Sequence, residues 1–191
     1  MRRYFQCKYD LGILVATLLL FPWSCVAQNS AFDLNGAPTD PFRDSAKKIT
    51  VLVFVRTDCP ISNRYAALIQ RLNTEYSDRA AFWLIYPAKS TSAADIRKHE
   101  HAFGYTLRAL RDPQHFLVKA GQVQVTPEVA VFDPLRHLIY HGRIDNLFED
   151  FGHARAAATT HELDDAIRAA LAGTSAPSHA PGVGCYISDL G

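Results

Sequence analysis

The chain has 191 residues, with 20 Lys and Arg against 19 Asp and Glu, a formal net charge of +1, and 48% hydrophobic residues. This composition describes a globular protein with a substantial core, about one domain in size. It excludes the basic stripe of a nucleic-acid binder and the acidic block of a solvated tail.

Residues 1–27 differ in character from the rest of the chain. Arg2, Arg3 and Lys8 open it, the apolar run "LGILVATLLLF" comes next, and Cys25 and Ala27 supply small side chains at the −3 and −1 positions of a cleavage site. Together they predict a secretory signal peptide cleaved after Ala27. The run is shorter than the roughly 20 residues needed to cross a bilayer. A retained membrane anchor and a lipid-modified Cys25 are the alternatives, and Pro22 and Trp23 argue against the lipid. Cleavage removes Cys7 and Cys25, leaving Cys59 and Cys185 in a periplasmic or secreted setting where disulfides persist.

"AFDLNGAP" reads as a short strand with an Asn35-Gly36 turn, and "KKITVLVFVRT" as a strand buried on both faces. From Ile61 the period changes, with Tyr65, Leu68, Ile69 and Leu72 on one side of a helix. "AAFWLIYP" is a second buried strand. "STSAADIRKHEHAFG" predicts a helix from a Ser92/Asp95 capping box to a Gly104 stop. "DPQHFLVKAG" predicts a shorter helix with Pro113 in its first turn and Gly121 after its end. "EVAVFDP" and "HLIYHGRI" form a hairpin across "DPLR", and "THELDDAIRAALAG" a last helix, with Thr160 as cap and Gly173 as stop. This alternation predicts an α/β sandwich over residues 28–173, with a mixed sheet flanked by helices. Residues 174–191, rich in Pro, Gly and Ser, read as a flexible tail carrying Cys185.

Cys59 lies where a strand gives way to a helix. There the unpaired amides and the helix dipole favour the thiolate, which is the reactive form. Pro60 suits the first turn because it has no amide hydrogen to leave unsatisfied. Arg56 and Arg64 add positive charge, and Asp58 opposes them. The plain alternative is an inert core cysteine. Thr126-Pro127 directly precedes a strand, a position open to a cis peptide bond. His99 and His101 fall on different sides of their helix, and His137 and His141 share a face only if their segment is a strand. No Cys–His spacing matches a zinc site, so no metal is expected. Arg143 and Asp145 read as a surface ion pair. No glycine-rich nucleotide signature is present, and no cofactor is expected.

"TDCPISNRY", "RDPQH", "VTPEVAVFD", "YHGRIDN" and "GVGCYI", spread over residues 50–188, resemble the thioredoxin fold. The likeness is greatest to the peroxiredoxin-like branch of the alkyl hydroperoxide reductase and thiol-specific antioxidant (redoxin) superfamily. The resemblance implies a three-layer sandwich with Cys59 at the nucleophilic position. It places Thr57, Pro60, Ser62 and Asn63 around that residue and Thr126-Pro127 opposite as a cis-proline loop. It also implies that "GCYI" with Cys185 is a recurring tail of this branch. Thiol chemistry at Cys59 needs a second thiol, and Cys185 could resolve it, within the chain or across a homodimer. Two positions depart from related patterns. Ser62 stands where a thioredoxin has its second cysteine, and Arg56 where a typical peroxiredoxin has a threonine three residues before the nucleophile.

The expected protein is therefore an exported, peroxiredoxin-like thiol oxidoreductase acting on a small peroxide or a protein disulfide, recycled by an external thiol. Peroxide would give a sulfenic acid and a disulfide would give a mixed disulfide; either needs a second thiol. The alternatives are a thiol–disulfide exchange protein, or a non-catalytic binding module stapled by a Cys59–Cys185 disulfide.

Overall fold

The computed structural model describes residues 30–43 and 47–188. The signal-peptide reading, with Cys7 and Cys25, lies outside the described residues. The elements in chain order begin with strands β1 (Ala31–Phe32) and β2 (Pro38–Thr39), a 3₁₀ turn at Pro41–Arg43, and strand β3 (Ile49–Phe54). Helices α1 (Pro60–Arg64) and α2 (Ala66–Glu75), strand β4 (Ala80–Tyr86), helix α3 (Ala93–Phe103) and strand β5 (Arg108–Arg111) come after it. Helix α4 (Phe116–Gly121), strands β6 (Val125–Thr126), β7 (Glu128–Phe132) and β8 (Leu138–Gly142), and the short pair β9 (Phe148–Asp150) and β10 (His153–Ala154) come next. Helix α5 (Glu162–Ala172) and strand β11 (Cys185–Tyr186) complete the order.

Among the described residues, seven strands form one mixed sheet in the order β2-β1-β5-β4-β3-β7-β8. β3, β4 and β5 run parallel, while β7 and β8 are antiparallel to their neighbours. Every residue of β3 and β4 is buried, as the unbroken apolar runs required. Alternation then sorts the side chains between two cores. Val51, Val53 and Val55 pack with Tyr65, Ile69, Leu72, Ile96, Leu163 and Ile167 from α2, α3, α5 and the residue preceding α2. Leu52 and Phe54 pack on the other face with Leu117 and Val118 of α4. Helices thus cover both faces of the sheet, and the α/β sandwich is the observed architecture.

Several local signals read in the sequence appear as caps. Ser92 accepts from the Asp95 amide while the Asp95 carboxylate accepts from the Ser92 amide, and Gly104 and Gly173 end their helices in left-handed conformation. Other details differ. The helix expected from Ile61 breaks at Tyr65, which closes α1 and opens α2. Pro113 sits in the turn before α4 rather than within its first turn, and Gly121 is the last helical residue. The buried Asp112 carboxylate takes the capping role there, accepting from the amides of Phe116, Leu117 and Val118 at 2.8–2.9 Å. His161, not Thr160, precedes α5, and the Thr160 hydroxyl donates to Glu162 instead. Among the described residues no helix is long and apolar enough to cross a membrane.

Residues 174–188, expected as a tail, lie along the sheet. The Ala180 carbonyl accepts from the Arg143 amide at 2.8 Å, and β11 pairs antiparallel with β6. These contacts hold the C-terminal segment against β6 and the end of β8.

Candidate active site

The buried strand β3 delivers the chain into a tight turn in which the Cys59 amide donates to the Arg56 carbonyl. Cys59 becomes the N-cap residue of α1 with extended backbone, and Pro60 occupies the first helical turn. The sulfur is wholly buried. On its far side the chain passes through Thr126-Pro127, whose peptide bond is cis, and the Cys59 thiol donates to the Thr126 carbonyl at 3.2 Å.

The terminal strand closes the site from above. Its register sets Cys185 opposite Thr126 and Tyr186 opposite Val125. The Thr126 hydroxyl donates to the Cys185 carbonyl at 3.3 Å, and the Ile187 amide donates to the Gln124 carbonyl at 3.0 Å. Cys59 and Cys185 are both free thiols, and they meet through their side chains. The structure therefore brings together Cys59, Ser62, Thr126, Pro127 and Cys185, and places Thr57, Pro60 and Asn63 on the turn and helix carrying the sulfur.

The two thiols are electrostatically unequal. Burial alone would push Cys59 up. Contacts from the Ser62 amide and hydroxyl, and from the Cys185 thiol and amide, outweigh it and hold the thiol below its ordinary value. The Ser62 contact is looser than a regular cap, since Cys59 makes no strict capping hydrogen bond. The Ser62 hydroxyl is nevertheless fully buried without a regular hydrogen-bond partner among the described residues, and so remains available to the sulfur. Cys185 moves the other way. Burial, the hydrogen bond with Cys59 and the Cys59 charge push it up to about 11, against the pull of Arg56. The five-residue α1 has little macrodipole, so the acidity of Cys59 comes from identifiable neighbours instead. Arg56 is itself engaged by Asp58 through two contacts at 2.9 and 3.0 Å.

Glu128, which the sequence reading passed over, ties the two walls together. Its buried carboxylate accepts from the Gln124 and Val125 amides at 2.8 and 3.3 Å and from the Gly182 amide at 2.8 Å. Gly182 and Gly184 lie in the segment whose Pro, Gly and Ser content predicts a flexible tail. Neither has positive φ; both are places of close approach. A Cβ at Gly184 would lie 2.0 Å from the Thr126 carbonyl oxygen, and one at Gly182 would lie 2.5 Å from Glu128 Cγ.

His99, weighed in the sequence only as a metal ligand, backs the turn that carries Cys59. The Asn63 side-chain amide donates to the Thr57 carbonyl at 3.4 Å, and its oxygen faces His99 Nε2 at 2.7 Å. That oxygen can only accept, so Nε2 carries the proton and Nδ1 accepts from the Tyr86 hydroxyl at 2.9 Å. Burial lowers the pKa of His99, keeping the ring neutral in this chain of bonds. Nothing in residue spacing links positions 57, 63, 86 and 99.

The Arg143–Asp145 surface pair is not formed. Arg143 pairs with Glu162, while Asp145 is buried and accepts from the Tyr65 hydroxyl and the Leu147 amide at 2.5 and 2.9 Å. His141 stacks on His179 of the terminal segment, with ring centroids 4.2 Å apart, and the His179 ring donates to the His141 carbonyl.

No protein-family model and no curated protein matches the chain. Solved structures do. An uncharacterized conserved protein from Geobacillus kaustophilus aligns at 22% identity over 83% of this chain and 86% of that one, with a TM-score of 0.70. A thioredoxin-like protein from Aeropyrum pernix aligns at 15% identity over 76% and 88%, with a TM-score of 0.54. The exposed lipoprotein thioredoxin Etrx1 of Streptococcus pneumoniae aligns at 18% identity over 74% and 96%, with a TM-score of 0.53. The fold is thioredoxin-like.

Proposed function

We propose that this protein is an exported thiol–disulfide oxidoreductase with Cys59 as nucleophile and Cys185 as resolving thiol. The observation that carries the reading is the unequal sulfur pair, one thiol lowered and the other pushed up to about 11, held in contact at a cis-proline loop. Export rests on the signal-peptide pattern and suits an oxidising compartment, where an external thiol would recycle the pair.

The Cys59 thiolate attacks one sulfur of a substrate disulfide. A Cys59–substrate disulfide forms, and the other substrate sulfur leaves as a thiolate. Cys59 is then neutral, which removes one of the charges that hold the Cys185 proton in place. Cys185 loses that proton, attacks the Cys59 sulfur and releases the second substrate thiolate. Two electrons have passed to the substrate, and a Cys59–Cys185 disulfide remains for an external dithiol to reduce. The reverse sequence oxidises a substrate dithiol. Since Cys185 of the same chain already lies at Cys59, resolution runs within one chain.

Exchange is favoured over the peroxiredoxin-like reading by the surroundings of the sulfur. No hydroxyl stands three residues before Cys59, where Arg56 is engaged by Asp58. The second sulfur already sits where a substrate sulfur would be attacked.

The test compares the purified protein with Cys59→Ser and Cys185→Ser against a model peptide disulfide and against hydrogen peroxide. Cys59→Ser abolishes disulfide reduction, and Cys185→Ser accumulates a Cys59 mixed disulfide visible by mass spectrometry. Faster oxidation of Cys59 by peroxide than by the disulfide refutes the exchange reading. A Cys59–Cys185 bond that resists mild reductant would instead indicate a structural staple.

A further inference from the structure

Cys59 is wholly buried, and Cys185 of the terminal strand lies against its sulfur. No external disulfide can meet this sulfur while β11 is seated. If exchange occurs, the tail leaves first, and its departure uncovers three adjoining features. One is the edge of β6, for which β11 is the only strand partner among the described residues. The second is the position beside Cys59 now taken by the Cys185 sulfur. The third is the seat of Ile187, which is 6% exposed in the second core while its neighbour Tyr186 is 78% exposed.

We propose that residues 182–187 are a built-in occupant of the substrate site, and that the external substrate is an extended polypeptide carrying Gly-Cys-x-aliphatic in the same antiparallel register. This rests on the exchange reading above and adds the substrate class.

Each element of the pattern has a physical cause. The unpaired β6 edge binds an extended chain through main-chain hydrogen bonds, as the Ile187 amide now does to the Gln124 carbonyl. The residue before the cysteine must be glycine, because any Cβ there falls 2.0 Å from the Thr126 carbonyl oxygen, a backbone atom of a loop anchored by Glu128. The residue after the cysteine points to solvent and is unrestricted. The next residue returns to the protein and must be apolar. Its seat adjoins a void of about 10 Å³ bounded by Arg56, Pro87, Ala88, Ile187 and Ser188, room for about one water and not for a larger ring. The tail therefore competes with substrates and excludes disulfides held in helices, in rigid loops, or after a residue with a side chain.

The test uses full-length protein in two forms that unseat the tail by different means, Gly184→Val through the backbone clash and Ile187→Asp through the apolar seat. Circular dichroism checks the fold of each. An iodoacetamide pulse with peptide mapping should label Cys59 about tenfold faster or more in both than in the parent, the equivalent of about 1.4 kcal/mol or more lost from tail seating. Unchanged labelling in both folded variants overturns the proposal.

Peptides whose cysteine is activated as a thionitrobenzoate disulfide then report substrate choice. Cys59 attacks the peptide sulfur and thionitrobenzoate leaves as a coloured thiolate. Gly-Cys-Tyr-Ile should react with Gly184→Val about tenfold or more faster than Ala-Cys-Tyr-Ile or Gly-Cys-Tyr-Asp, by the same clash and seat. Equal rates with a reactive Cys59 overturn the docking proposal and leave the exchange reading standing. If Cys59 of the unseated variants reacts no faster than free glutathione, the exchange reading fails and this proposal falls with it.

Discussion

Glu128→Gln isolates the contact that holds the terminal segment over the reactive sulfur. The carboxylate uses one oxygen for the Gln124 and Val125 amides and the other for the Gly182 amide. A glutamine has one accepting oxygen only, so its NH₂ group must face an N–H on one side. If its oxygen stays with the two loop amides, the Gly182 amide loses an ionised acceptor, a bond worth about 1.5–3 kcal/mol. That corresponds to a roughly 10- to 150-fold larger unseated population of the tail. Hydrogen exchange at the amides of Gly182 and Ile187, and iodoacetamide labelling of Cys59, should both accelerate by a factor in that range. Amides of β3 and β4, which lie in the buried centre of the sheet, should keep their protection. Tail exchange and Cys59 labelling within twofold of the parent would refute the clamp. So would uniform loss of protection across β3 and β4, which would mean that Glu128 supports the whole domain.

Ser62→Ala removes the buried hydroxyl beside Cys59 but keeps the amide, so the thiol pKa rises and alkylation at pH 7 slows about fivefold, the equivalent of one hydrogen bond near 1 kcal/mol; an unchanged rate would show that the amide acts alone. Asp112→Asn weakens the buried cap on α4 at three amides and should lower the melting temperature by about 4–8 °C, from roughly 2 kcal/mol at 2–4 °C per kcal/mol, as read by circular dichroism. The His141–His179 stack makes tail seating sensitive to acid. Burial and the neighbouring His179 depress the pKa of His141, against the opposing influence of Glu128 and the Gln122 carbonyl. A histidine depressed in the seated state costs nothing above its ordinary value of about 6.5, and favours the unseated state as pH falls below it. Exchange at Ile187, corrected for intrinsic pH dependence, should therefore speed up below about pH 6.5 and lose that response in His141→Gln; a response that persists in His141→Gln assigns it elsewhere.

Much of the frame was legible because its causes are local. The unbroken runs at 49–55 and 80–86 are buried on both faces because parallel strands between helix layers offer no solvent face. Ser92, Gly104 and Gly173 act within a turn of themselves, and their caps appear as read. Cys59 could be singled out because an apolar strand followed by Cys-Pro marks a helix start within a few residues. Errors arose where a local sign had a distant cause. Tyr65 breaks its helix and bonds Asp145, eighty positions away. Arg143 chooses Glu162 of α5 over the nearby Asp145 because the fold buries Asp145. Strand β5, with only Arg108–Arg111, carries too short an apolar pattern to be read alone and exists because β4 offers an edge.

The amino-acid order by itself determined the long buried strands, the helices ended by Gly104 and Gly173, and the place of Cys59 at a strand-to-helix junction, because these depend on backbone propensity and on neighbours within one helical turn or one pleat. It also pointed to Cys185 as the second sulfur, given the expected removal of Cys7 and Cys25 with the signal peptide. Only the tertiary structure decided that Gly182 and Gly184 are points of contact, that Glu128 joins loop to tail, and that the second sulfur covers the first. Those facts depend on which distant backbones come within a few ångströms of each other. Glycine in a close approach and glycine in a loose linker are written with the same letter, and only the neighbouring atoms tell them apart.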